Sequence, residues 1–201
     1  MSRWGYTAYA GISLLIALLS WRMVMAPVEQ VMPHMAHFVS EAPWRLWAHL
    51  LGAPLAMILA PVQVWSGLRM RWPALHRWTG RLYGLAVLIG GLAALFLAPA
   101  SDASLFARLG FMTLAALWLG TTAIGITLAM RGDLVRHRWW MKRSLALTFA
   151  AVTLRLAMMP LIAAGWTVAE TYDVTAWGSW VLNLAVLEWW QRRSVGVARL
   201  V

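Results

Sequence analysis

Few side chains in this sequence could carry chemistry, and histidine leads them. Five histidines stand at positions 34, 37, 49, 76 and 137, and cysteine is absent. Imidazole ligates heme iron and borderline metals. The missing thiols exclude disulfides, thiolate nucleophiles, zinc–thiolate sites and cysteine-held iron–sulfur clusters. His49, His76 and His137 are therefore the tentative heme or metal ligands. A second group is Arg155 with Ser144 and Thr148, which share a stripe at 100° per residue together with Ala151. An arginine inside an apolar run without a carboxylate mate points to an anionic or oxygen ligand: a lipid headgroup, a heme propionate or a quinone oxygen. The competing reading ties Arg155 to helix carbonyls. A third group, Met32, His34, Met35 and His37, alternates soft and borderline ligands suited to copper. We favour a loop whose methionines dip into lipid, so copper is not expected.

Much familiar chemistry is missing. No paired carboxylates lie in apolar segments, and no His-Glu-x-x-His, P-loop or Gly-x-Ser-x-Gly motif occurs. No single predicted helix carries two histidines about thirteen residues apart, the spacing that stacks two hemes on one helix. No catalytic residue is assigned, and the reading leans away from an enzyme while leaving a membrane enzyme of unrecognised type open.

These residues must be positioned by membrane helices. The 201 residues are 62% hydrophobic and only 12% charged, with a mean hydropathy of +0.67. Six apolar stretches approach the ~20 residues a bilayer requires: 5–25, 44–68, 78–98, 105–130, 140–163 and 175–190, the last short. The expected fold is all-α, a polytopic transmembrane bundle forming one domain over 1–201. The net charge of +10 would suggest nucleic acid in a soluble protein. Here 13 of the 17 basic residues fall at one end of the predicted bundle: Arg3, the clusters 69–81 and 131–143, and the tail 192–199. Five of the seven acids, Glu29, Glu41, Asp102, Glu170 and Asp173, fall at the other. The positive-inside rule then puts both termini in the cytoplasm of a bacterial inner membrane. The first span imitates a signal peptide, but Arg22 and Pro27 argue for an uncleaved helix.

A weak internal repeat appears at an offset of 61. His76-Arg77-Trp78 recurs as His137-Arg138-Trp139, Arg81 answers to Lys142, Leu95 to Leu156 and Pro99 to Pro160. The halves, about 44–99 and 105–160, would be parallel helical hairpins. His76 and His137 would then be mates able to meet near a pseudo-axis. In the second span His49, Gly52, Ala53, Ala56, Ala60 and Gln63 form one stripe of mostly small residues, which admits another backbone closely. Pro54 and Pro61 each free a carbonyl four residues earlier. His49 sits about 7 Å inside the boundary at 1.5 Å per residue, either tying two helices or holding a ligand. Gly80, Gly84 and Gly91 give the third span a packing face.

Three blocks resemble a bacterial family of predicted multi-pass membrane proteins known as a domain of unknown function: Ala48-His49-Leu-Leu-Gly52-Ala-Pro54, Leu75-His76-Arg77-Trp-Thr-Gly80-Arg81-Leu-Tyr83, and the run from His137 to Arg155. The resemblance covers roughly 44–163. It implies that His49, His76, His137, Arg155 and the Gly/Pro framework form one motif set, and it brings no activity. The leading expectation is a non-catalytic accessory subunit or assembly factor beside a larger respiratory complex, with lipids and other subunits as partners. A small b-type heme or quinone-linked carrier using His49, His76 and His137 is the alternative. A transporter or lipid-binding protein using Arg155 is the third.

Overall fold

The computed structural model describes residues 2–198, except that the side chains of Met23, His34 and 194–198 lie outside the description. The chain is helical, and no strand occurs among the described residues. Helix α1 is Arg3–Met25. Short helices α2 (Val28–Val31) and α3 (His37–Glu41) flank a 3-10 turn at Pro33–Met35. Then come α4 (Pro43–Val64), α5 (Ser66–Arg71), α6 (Pro73–Leu97), α7 (Leu105–Met130), α8 (Leu134–Thr148), α9 (Ala150–Ala163) and α10 (Val168–Ala198).

Five stretches are long and apolar enough to cross a membrane: Arg3–Arg22, Pro43–Val64, Pro73–Ala100, Leu105–Met130 and Leu134–Ala163. Helices α8 and α9 make one of them, bent at Phe149, where the backbone reaches φ −71° and ψ −11°. The sixth expected span, 175–190, lies inside a helix of 31 residues. Helix α10 is long enough to cross but less apolar than the other five, because Asn183, Glu188 and Gln191 interrupt it.

Local signals fix the ends. Ser2, Ser104 and Asp133 accept from the first free amides of α1, α7 and α8. Thr167 and Glu170 form a reciprocal capping box at the start of α10. Gly132 and Gly165 adopt φ +79° and +92° just past α7 and α9. There the amide of the next residue reaches back five positions, from Asp133 to Leu128 and from Trp166 to Leu161.

Side-chain contacts set the helix directions. Tyr6 donates to the Pro61 carbonyl, so α1 and α4 run oppositely. Gln63 donates to Thr79, and His49 to Gly90, so α4 and α6 form a hairpin. Ser104 donates to Asp173 near the starts of α7 and α10, and Arg143, past the middle of α8, pairs with Glu188 in the last third of α10. One end of the bundle therefore carries the loops with Arg69, Arg71, Arg131 and Arg136. The other carries Glu41, Asp102, Glu170 and Asp173. These are called here the basic and acidic ends. The core lies between α4, α6, α7 and α8, around Ala56, Ala60, Tyr83, Val87, Trp118 and Leu147.

Candidate functional site

The small-residue stripe of α4 does what its spacing demands. Gly52 and Gly90 bring α4 and α6 into backbone contact: a Cβ on Gly90 would come within 2.7 Å of the Ala53 nitrogen. At that crossing the His49 Nδ1–H donates to the Gly90 carbonyl at 3.0 Å. At the basic end the His137 Nδ1–H donates to the Gly125 carbonyl of α7 at 2.8 Å. A carbonyl only accepts, so both rings carry a proton on Nδ1. The neutral imidazole then keeps its free lone pair on Nε2, the arrangement by which a carbonyl orients a ligating histidine.

His76, one turn into α6, is half-buried, and its Nδ1 is buried with no hydrogen-bond partner. His137 lies within electrostatic range of it, as do Arg69 and Arg77. The histidines at the basic end are thus brought together, and His49 is not part of that pair. Seven residues up each helix, Tyr83 and Ser144 hydrogen-bond at 2.6 Å. Their separation in sequence is 61, the offset that relates His76 to His137.

Ser144 and Thr148 do not stand beside Arg155. They belong to a buried polar network with Tyr83, Thr122 and Trp118. Tyr83 contacts Thr148 at 2.8 Å, Ser144 contacts Thr122 at 2.6 Å, and the Trp118 indole donates to Thr148 at 2.9 Å. Thr122 and Thr148 also donate to the Trp118 and Ser144 carbonyls. Sequence reasoning passed over Tyr83, Trp118 and Thr122. The available signal was three polar-capable residues spaced to face one interior in otherwise apolar spans.

Arg155 donates to the Ala151 carbonyl of its own helix at 3.0 Å. The polar side chains of α10, Asn183 and Glu188, are both engaged elsewhere. Asn183 accepts from Thr153 and donates to the Ala146 carbonyl, while Glu188 pairs with Arg143 at 2.6 Å. Arg155 instead senses Tyr172, Arg22 and His49.

In the loop before α4, Met32 and Met35 pack against Val28, Phe38 and Leu46. His37 lies 3.3 Å from Asp102 and leans on the Phe38 ring at 4.0 Å. The His34 side chain lies outside the described residues. Two thioethers thus serve an apolar cluster, and His37 ties this loop to the one before α7. No cluster of three or more His, Asp or Glu occurs among the described residues.

Among known families, the one described as "Predicted membrane protein (DUF2306)" matches residues 46–191. No curated protein matches, and no solved structure does.

Proposed function

Since the chain belongs to this family of predicted membrane proteins, we propose that it is an accessory subunit of a larger membrane redox assembly, contributing a b-type heme held between His76 and His137. One observation carries this reading: two neighbouring imidazoles at one end of the bundle, one with Nδ1 engaged by a glycine carbonyl and the other with Nδ1 buried and unpartnered. Such a pair would hold a heme iron. Arg69 and Arg77 beside His76 suit its propionates. Heme would supply one-electron chemistry. The protein's part is to orient the two rings, pair the carboxylates and keep the iron's surroundings apolar. By the positive-inside rule we place this end in the bacterial cytoplasm, with both termini.

The test is an absorption spectrum of detergent-purified protein, oxidised and dithionite-reduced. A b-type spectrum with one heme per chain is expected. His76→Ala and His137→Ala should each abolish it as completely as the double change. Independent, additive losses would overturn the shared site.

A second reading, a heme-free packing subunit, has its own support. The flank of α4 and α6 carries an apolar groove of about 200 Å³ lined by Leu51, Leu55, Leu82, Leu85 and Ile89. Colourless protein expressed with ample heme would select this reading.

A further inference from the structure

We propose that the groove along α4 and α6 seats one acyl chain of an anionic glycerophospholipid, with the lipid phosphate held by Arg81. This goes beyond the heme reading and uses none of its residues. It gives the groove a lipid where the packing reading would give it a neighbouring helix. The groove follows from the close crossing of the two helices. Gly52 and Ala86 form its floor, and a Cβ on Gly52 would come within 2.9 Å of the Ala86 carbonyl oxygen. Its walls include Leu55 of α4 and Leu82, Leu85 and Ile89 of α6, all exposed on the outer flank of the bundle. The α6 wall, from Leu82 to Ile89, rises seven residues or ~10 Å. A volume of about 200 Å³ over that length leaves a cross-section of roughly 20 Å². A helix ~10–12 Å across needs roughly 80–110 Å². The groove is thus the width of one hydrocarbon chain, and a helix would bridge it rather than fill it.

What stands at the foot of the groove sets the headgroup. Trp78, Leu82, Leu85 and Ile89 recur at spacings of four, three and four, so Trp78 continues the α6 wall toward the basic end. The Arg81 guanidinium lies over the Trp78 ring, 4.7 Å from its centroid, which holds the cation at that foot. The span Pro73–Ala100 has 28 residues, ~42 Å, about 12 Å more than a hydrocarbon core of ~30 Å. With Ala100 at one boundary, Arg81 falls at the other, the depth of a lipid phosphate. Trp78 then lies in the interfacial layer that tryptophan favours. The charge there is uncompensated. The chain has no Asp or Glu from Ala42 to Ser101, and among the described residues Arg81 joins no ion pair. A guanidinium stacked on an indole still presents its edge donors, and that planar fork matches two phosphate oxygens. An apolar slot one chain wide, ending in an unpaired cation at the lipid boundary, complements an anionic phospholipid. An apolar partner helix would leave the cation without a mate.

Native mass spectrometry of the full chain, loaded with equal amounts of phosphatidylglycerol and phosphatidylcholine of the same acyl length, tests this. One phosphatidylglycerol should survive collisional activation that strips the remaining lipid. Arg81→Gln should cut its excess over phosphatidylcholine about fivefold, the contribution of one basic side chain at a lipid surface. Leu85→Trp, which fills the groove from an exposed position, should reduce retention of both lipids. Arg131→Gln, an exposed position at the same end but outside α4 and α6, should change neither. If Leu85→Trp fails to fold, Arg81→Gln, also on an exposed position, decides alone. Equal retention and equal lipid preference in wild type and Arg81→Gln would overturn the proposal. So would a lipid-free dimer of the chain that Leu85→Trp breaks, which would give the groove to a second copy. Neither variant alters His76 or His137, so the absorption spectrum reads the heme proposal separately from this one.

Discussion

The buried network allows a prediction worked from proton counting. Six short contacts link its members: Tyr83–Ser144, Tyr83–Thr148, Trp118–Thr148, Thr122–Ser144, Thr122 to the Trp118 carbonyl, and Thr148 to the Ser144 carbonyl. Four hydroxyls and one indole supply only five protons. One contact at any moment therefore faces lone pair against lone pair. Tyr83→Phe removes one proton and two contacts, leaving four contacts and four protons, and it conserves volume. Its cost should stay below about 1 kcal/mol. Thr148→Val is different. The Trp118 indole N–H loses its acceptor while 7% exposed, and a buried donor left unpaired costs about 1–3 kcal/mol. At roughly 2–4 °C per kcal/mol for a chain of this size, Thr148→Val should melt several degrees below Tyr83→Phe. Thermal unfolding in detergent, followed by loss of the monodisperse size-exclusion peak, measures this. A double-mutant cycle with Trp118→Phe should erase most of the Thr148→Val penalty. If Tyr83→Phe melts as low as Thr148→Val, the proton count is the wrong account of this core.

Further predictions concern packing, charge and pH. Gly90→Ala forces a Cβ onto the α4 backbone and should cost about 1–3 kcal/mol; Gly120→Ala meets nothing within 4 Å and should be neutral or slightly stabilising in the same melting assay. Glu188→Gln should destabilise by about 1 kcal/mol or less, because Arg143 and Glu188 are 25% and 32% exposed and solvent screens the pair. The Thr167 amide and hydroxyl both donate to Glu170 and hold its carboxyl below the ordinary value of 4.5. The folded value is the lower one, so this stabilisation is present above about pH 4.5 and fades as pH falls through the folded value. Hydrogen exchange in the first turn of α10 should accelerate there beyond its intrinsic pH dependence, and Glu170→Gln should remove that excess.

The framework was legible because its signals are periodic. The α4 stripe from His49 to Gln63 turned toward α6 as spaced, and the α7 boundaries, Leu105–Met130, agree with the expected 105–130. Interhelical partners were harder. Ser144, Thr148 and Arg155 share one projected stripe, yet the bend at Phe149 separates the hydroxyls from the guanidinium. Spacing at 100° per residue cannot anticipate a bend. Gly84 and Gly91 face α7, as a packing face should, but the closest approach uses Gly90, off that face. One-dimensional patterns assign faces; contacts between faces depend on tilt and register.

The polarity of α10 bears on how the protein is made. Asn183 and Glu188 find their partners on α8, and Thr153 of α9 also donates to Asn183. Without them α10 would present an amide and a carboxylate to hydrocarbon, which disfavours insertion of a lone helix. Chain order delivers α8 and α9 to the membrane first, so they can serve as a template that admits α10. Insertion of α10 is then conditional on the preceding span, and a lesion at Arg143 or Thr153 would surface as a biogenesis defect, with α10 stranded at the membrane surface.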